Sequence, residues 1–281
     1  KVWKPDAGVN KIEVLQVKPS ALKGSVILPP SKSHAMRWLV LGSMDKSPTK
    51  IVMNEIGEDV DSMIRCLQQM AVKWDGQIIT GGKLSRPISV LNCANSGTAF
   101  RFLLAQSATC DFPIMLDGDA SLRARDSSLL IEALGVECSK GFGKENLPVL
   151  IKGPFVKESI EVDVSKSSQF HSALMLMAPR TKGFDLSTKG EAVSRSHSGL
   201  TWELCRLTGA KTPGQPWEVI CPDVIIPPDA SMMAFAKLAG LFCENPPDES
   251  DSIGHLSESL DLIDSNDLIT PLAAFLALNQ G

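Results

Sequence analysis

No apolar run in this sequence approaches the length needed to cross a bilayer, and the opening residues Lys1-Val2-Trp3-Lys4-Pro5 carry no signal-peptide core. A cytoplasmic location without membrane contact is therefore expected. Metal-ligand spacing is missing as well: His34, His171, His197 and His255 stand far apart, and the seven cysteines include no C-x-x-C pair. An odd number of unpaired cysteines implies reduced thiols and not a disulfide framework. No metal and no other cofactor is expected. Excess positive charge is also lacking, since the net charge is −4, which argues against a nucleic-acid or anionic-membrane surface. Any anion must then be held locally, by a few placed cations. There is no tyrosine and no initiator methionine, and the second absence reads as a trimmed or cut chain.

What is present is an ordinary globular composition. With 281 residues, 43% hydrophobic and 21% charged, the chain is long enough for a full core and is expected to form two domains. Val26-Ile27-Leu28 reads as a buried strand that Pro29-Pro30 ends. Ser31-Lys32-Ser33-His34-Ala35-Met36-Arg37 then opens a helix with Met36, Leu39, Val40 and Met44 on one face. Two hydroxyls, Lys32 and Arg37 thus gather at a helix N-terminus, where free N–H groups and the helix dipole favour an anion. A capped helix with two solvated cations is the plainer alternative.

That pattern recurs. Five helices are expected, beginning near Ser31, Asn95, Ser167, Asp229 and Asp267, each with Ser, Asn or Asp at the capping position. The steps Ser33 to Gly97, Gly97 to Ser168 and Ser168 to Ser231 are nearly equal, and Asp229 to Asp267 is much shorter. Equal steps argue for a repeated βα-containing unit, and the short one for a shrunken unit. Strands are expected at 12–17, 88–92, 113–116, 149–151, 160–164 and 217–221, and further helices at 127–134 and near 199–207. The stretch 221–228 looks like a connector that partners Pro29-Pro30. A chain crossing twice there would form one lobe from 30–227 and a discontinuous one from 1–29 and 228–281. The acidic segment 244–258 reads as a loop.

Ser33, Asn95, Ser96, Ser167, Ser168 and Gln169 all stand at helix starts, beside Lys32, Arg37, Arg101 and Arg125. Helix starts packed around a common axis can face one cleft and hold a ligand with more than one anionic group. Singly, each is also readable as a turn or cap, and Arg123 and Arg125 as a solvated pair. In order, the chain carries SKSxxxR, NSGTxxR, a loop from Gly118 to Arg125, SSQFxxALxMxAP, Ser194, Asp-Ala-Ser at the second connector, and Asp267 before an Ala-rich helix. This series resembles the 5-enolpyruvylshikimate-3-phosphate (EPSP) synthase family, the 3-phosphoshikimate 1-carboxyvinyltransferases, across Gly24 to Gly281.

The resemblance implies an α/β, two-lobed enolpyruvyl transferase fold, each lobe a pseudo-threefold assembly of βα units (an inside-out α/β barrel). The implied reaction moves the enolpyruvyl group of phosphoenolpyruvate to the 5-hydroxyl of shikimate 3-phosphate and releases phosphate, in the pathway leading to chorismate and the aromatic amino acids. By position, Lys32 looks like the lysine that touches both substrates, and Ser33, Arg37, Ser167, Ser168 and Ser194 look like shikimate 3-phosphate ligands. Gln169 would lie between the substrates. Gly97, with Asn95 beside it, and Arg125 look like the phosphoenolpyruvate pocket. Asp267 looks like the carboxylate that takes the hydroxyl proton and also contacts shikimate 3-phosphate. Partners are thus two small molecules, and a monomer is expected.

Some positions depart from the family pattern. The Arg-x-Lys-Glu-like segment and later basic residues of the family are not found before Gly281, so the lower lobe is expected to be incomplete. His197 stands where Tyr is usual, Phe102 where Pro is common, and Ser121 where a basic residue is common. Two rival readings remain. The related UDP-N-acetylglucosamine 1-carboxyvinyltransferases typically carry Lys-Asn where this chain has Lys32-Ser33, and a reactive Cys in the loop that here has none. A non-catalytic substrate-binding fragment or remnant of the enzyme is the other.

Overall fold

The computed structural model describes residues 22–140, 147–165, 167–190, 195–247 and 269–278. Three helices, α1 (Lys32–Gly42), α3 (Gly97–Ser107) and α6 (Ser168–Met177), are buried along most of their length. Their sequences dictate this. In α3 the run Ala99, Phe100, Phe102, Leu103, Leu104, Ala105, interrupted only by Arg101, spreads apolar side chains round most of the helix, so most of its surface must lie inside. The outer α2 (Glu58–Gln69) is amphipathic instead, burying Val60, Met63, Ile64 and Leu67 while Glu58, Asp59 and Asp61 meet the positive end of its dipole.

Each inner helix belongs to a βα unit, and the first two units share the same four-stranded sheet plan. The first comprises α1, β2 (Thr49–Val52), α2, β3 (Lys73–Trp74) and β4 (Ile78–Thr80). The second comprises β5 (Leu91–Asn92), α3, β6 (Ile114–Asp117), the short α4 (Ala120–Arg123), α5 (Ser128–Leu134), β7 (Glu137–Lys140) and β8 (Val149–Lys152). Its sheet runs β5-β6-β8-β7, with β5 parallel to β6 and the other pairs antiparallel. The first unit makes the same sheet, β11-β2-β4-β3, but its parallel first strand, β11 (Val224–Ile225), arrives from the far end of the chain. The third unit comprises β9 (Ser159–Asp163), α6, β10 (Asp185–Lys189) and α7 (Arg195–Leu207), with β9 and β10 parallel. Strands alternate inward and outward, as in Val149 and Ile151 against Leu150 and Lys152.

The two proline-flanked connectors lie side by side. Pro30 and Pro228 form an antiparallel bridge, the Ser31 N–H donates to the Pro227 carbonyl (2.8 Å) and the Asp229 N–H to the Pro29 carbonyl (2.8 Å). Beyond them β1 (Ser25–Val26) pairs in parallel with β12 (Phe242–Cys243), and α8 (Ala230–Leu238) packs on both β12 and α9 (Ile269–Leu278). Asn245 joins the two ends, accepting from the Leu28 N–H (2.6 Å) and donating to its carbonyl (3.0 Å).

Several expected elements differ. The 217–221 strand is irregular, because its backbone groups go elsewhere: the Cys221 N–H donates to Asp45 Oδ2 (2.8 Å) and the Ile220 N–H to the Thr208 carbonyl. The 88–92 strand shrinks to Leu91–Asn92, with Ile88 almost wholly in solvent after Pro87. The first strand is Ser25–Val26, where Ile27 is exposed and only Leu28 is buried. Met44 falls beyond α1, which Ser43 closes, and α7 starts at Arg195, earlier than expected. The second inner helix is capped by Ser96, not Asn95. The 12–17 strand and the helix start at Asp267 lie outside the described residues.

Candidate anion site at the inner helix starts

The start of α3 carries most of the geometry. Ser96 caps it, its hydroxyl accepting from the Ala99 N–H (3.2 Å), which frees Asn95 to face outward. Arg125 Nη2 donates to Asn95 Oδ1 (2.8 Å). A β-carbon on Gly97 would lie 3.0 Å from Arg125 Nη1 and 3.5 Å from Arg101 Nη1, so the absence of a side chain lets two guanidiniums approach this helix end. Arg101 Nη1 in turn donates to Gln169 Oε1 (2.7 Å), tying α3 to the start of α6, and its guanidinium stacks 5.3 Å from the Phe170 ring centroid. Asn95, Gly97, Arg101, Arg125 and Gln169 are therefore one cluster.

The loop carrying Arg125 is held from behind. The Asp119 N–H donates to the Ala94 carbonyl (2.9 Å), and Asp119 Oδ1 accepts from the Leu122 N–H (2.8 Å). Arg123 forks onto Asp117, with Nε 3.0 Å from Oδ1, so Arg123 and Arg125 are not a solvated pair but point to different partners.

A second cluster surrounds Arg37, whose side chain is turned inward and 1% exposed. Its Nε donates to Thr201 Oγ1 (2.6 Å), Nη1 to the Ser33 carbonyl (2.8 Å), and Nη2 to the His197 carbonyl (3.1 Å) and more distantly to Ser172 Oγ (3.5 Å). Phe102 lies 5.4 Å beneath the guanidinium. Ser168 meets α7 through its carbonyl, which accepts from Ser198 Oγ (3.4 Å), and the Ser167 hydroxyl caps α6 by accepting from the Gln169 N–H (3.2 Å). α6 thus takes part in both clusters. At α1 the Ser31 hydroxyl makes no cap bond and sits 3.0 Å from His34 Nδ1, while Lys32 Nζ lies 3.0 Å from Asp59 Oδ2 with more than half of its side chain in solvent. Ser194 and Asp267 lie outside the described residues.

Electrostatics set this region apart. Burial pulls the Arg101 guanidinium down to about 10, and repulsion from Arg125 adds to it against a smaller opposing pull from Asp126. Burial likewise pulls Arg37 down to about 10. Cations crowded together and desolvated are at higher free energy until an anion reaches them. The sequence pattern placed Arg101 only generally near the site, and it did not indicate Asp59, Ser172 or Thr201. Asp59 reads as one of three acids in the first turn of a helix, and nothing local ties it to Lys32.

Buried helices that begin on Lys32, Gly97 and Ser168, each with a serine at the capping position and with guanidiniums brought up to the second of them, define an α/β protein of repeated units whose inner helix starts gather cations. The sequence model of EPSP synthase (3-phosphoshikimate 1-carboxyvinyltransferase) matches residues 17–242, and the chain belongs to that family. Among curated relatives, the 3-phosphoshikimate 1-carboxyvinyltransferase of Methanosarcina mazei is 34% identical over 205 residues, which are 69% of this chain and 47% of the relative. That of Rhizobium leguminosarum bv. trifolii is 32% identical over 233 residues, 76% of this chain and 56% of the relative. An EPSP synthase structure from Acinetobacter baumannii superposes with a TM-score of 0.65 at 24% identity, covering 78% of this chain and 53% of that one, a likeness of fold. The chain spans about half the length of the curated relatives it matches.

Proposed function

We propose that this chain supplies the shikimate 3-phosphate side of a 3-phosphoshikimate 1-carboxyvinyltransferase, with residues 30–227 as that lobe and 1–29 with 228–281 in the other. The observation that carries the reading is the Asn95–Arg125, Gly97 and Arg101–Gln169 cluster, where two guanidiniums meet at the start of a buried helix without a carboxylate bonded to either among the described residues. Phosphoenolpyruvate would be held there by Arg125, Asn95, the Gly97 backbone and Gln169. Lys32, Ser33, Ser167, Ser168, Gln169 and Ser194 would hold shikimate 3-phosphate, with Arg37 turned inward behind Ser33 to brace that surface.

In the reaction the 5-hydroxyl adds to C2 of phosphoenolpyruvate while C3 gains a proton. The tetrahedral adduct then loses phosphate from C2 and the proton from C3, restoring the double bond. Asp267 would take the hydroxyl proton. Lys32 can release Asp59 and lend its charge to the departing phosphate, a role suited to an ammonium in an exposed, weakly held pair. The proposed setting is a cytoplasmic monomer.

Calorimetric titration with shikimate 3-phosphate, then with phosphoenolpyruvate, followed by a phosphate-release assay tests this. Binding with release supports the full activity, and binding without release leaves substrate capture alone. No binding of either ligand refutes the reading. Because this chain spans about half the length of its relatives, substrate capture without turnover is the second reading.

A further inference from the structure

The inner helices have another end, and a cavity of about 790 Å³ opens there, within the roughly 300–1,000 Å³ of small-molecule sites. It lies past the last turns of α1, α3 and α6, at the opposite ends of the helices that start the candidate site. Arg180, just after α6, forms part of its wall and gathers all three helix ends. Its Nε donates to Gln106 Oε1 (2.8 Å) of α3, its Nη2 to the Ser43 carbonyl (2.9 Å) at the end of α1, and its Nη1 to the Gly82 carbonyl (2.6 Å). These partners are neutral, and no carboxylate is bonded to Arg180 among the described residues. Burial holds its guanidinium down to about 10, the mark of a cation without an adequate counter-charge.

The rest of the wall divides by chemistry. Phe112 and Trp217, both partly buried, supply aromatic surface beside Met44 and Leu84. Lys46, Lys83, Asp111 and Glu218 line the same cavity, exposed, and form no hydrogen bond or ion pair among the described residues. Unpaired charges of both signs around an aromatic wall are complementary to a ligand that itself carries both signs and an apolar arm. A purely anionic ligand would leave Asp111 and Glu218 opposed to it, and a purely cationic one would meet Arg180.

We propose that this cavity is a second ligand site, distinct from the helix-start cluster, that takes a small zwitterion with an apolar arm: a free α-amino acid with an aromatic or large aliphatic side chain. Arg180 and Lys83 receive the carboxylate, Asp111 and Glu218 the ammonium, and Trp217 with Phe112 the side chain.

The test is titration of the whole chain with L-phenylalanine, 3-phenylpropionate (no ammonium) and phenethylamine (no carboxylate), followed by heat and by tryptophan fluorescence. L-Phenylalanine is expected to bind and to change an emission component that Trp217→Phe removes. Each one-charge analogue is expected to bind about tenfold or more weakly, the loss of one charge-assisted contact. Lys83→Ala and Glu218→Gln alter exposed side chains, so folding is retained, and each is expected to weaken L-phenylalanine about five- to tenfold while leaving the shikimate 3-phosphate titration unchanged. No response up to roughly 10 mM L-phenylalanine or L-leucine overturns the site. Equal binding of the analogues overturns the zwitterion, and unaltered binding in both charge variants overturns the placement.

Discussion

Replacing Arg37 by alanine separates a cation that builds the fold from one that only waits for a ligand. The side chain is 1% exposed and donates to Thr201 Oγ1, the Ser33 carbonyl and the His197 carbonyl. Its loss strands little hydrogen-bonding capacity. Thr201 Oγ1 still donates to the His197 carbonyl (2.8 Å) and still pairs with Ser172 Oγ (2.8 Å), and the Ser33 carbonyl keeps its place in the first turn of α1. What is lost is about two net charge-assisted bonds at roughly 1–2 kcal/mol each, the cation–π contact over Phe102, and the packing of a long side chain where a cavity remains. Relief of the buried charge offsets part of this, so a net loss of about 3–5 kcal/mol is expected, or a midpoint roughly 10 °C lower. Urea denaturation without any ligand, with the slope m checked against wild type, reads the change directly. A loss below about 1 kcal/mol would refute the inward, structural Arg37 described above.

Lys32→Ala should behave in the opposite way: because the Lys32–Asp59 pair is largely exposed, stability should change by less than about 1 kcal/mol, while shikimate 3-phosphate affinity should fall about 10- to 100-fold in calorimetry. Equal affinity in the variant would remove Lys32 from the site. Gly42→Ala places a β-carbon 2.5 Å from Ile79 Cγ2, so α1 must back away from β4 and about 1–3 kcal/mol should be lost in chemical denaturation; a neutral result would mean the core yields there at no cost. Burial pushes the Cys205 and Cys221 thiols up to about 12, so between pH 9 and 10 only the unfolded chain ionises them. Their stabilising effect is complete below pH 9 and declines as pH rises toward 12, by up to about 1.4 kcal/mol per pH unit for each thiol. Cys205→Ala should flatten that decline, and an unchanged slope in denaturation across pH 8.5–10 would contradict the assignment.

The three inner helices were legible in the sequence because their signals are local: Ser or Asn at or beside the capping position, small residues behind it, and an apolar run too long for a strand. Ser96 and Ser167 cap as such residues do, and Gly135 closes α5 in the left-handed conformation at φ 58°. The strands were less legible. β2 and β10 carry Lys50, Asp185 and Lys189 on their outer faces and read as polar, whereas 217–221 is Val/Ile-rich yet spends its N–H groups on Asp45 and Thr208. In the site, residue identities near helix starts could be read, but their pairings could not. Arg101 with Gln169, Lys32 with Asp59 and Arg37 with Thr201 join segments far apart in sequence, and only the packing of α1, α2, α3, α6 and α7 brings them together.

The parallel pairing of Val224–Ile225 with Ile51–Val52 has a consequence for the order in which the protein can be made. While the ribosome is still producing the middle of the chain, the first unit has its helices and hairpin but one uncovered strand edge, because the strand that belongs there is nearly the last of the block to emerge. The second unit suffers no such delay, since β5 precedes α3 directly. Nascent chains stalled before residue 224 should therefore leave the β2 edge of the first unit uncovered. Once β11 has docked, Pro30 and Pro228 stand next to each other, and the entire block between them enters and leaves the rest of the protein through one narrow double passage.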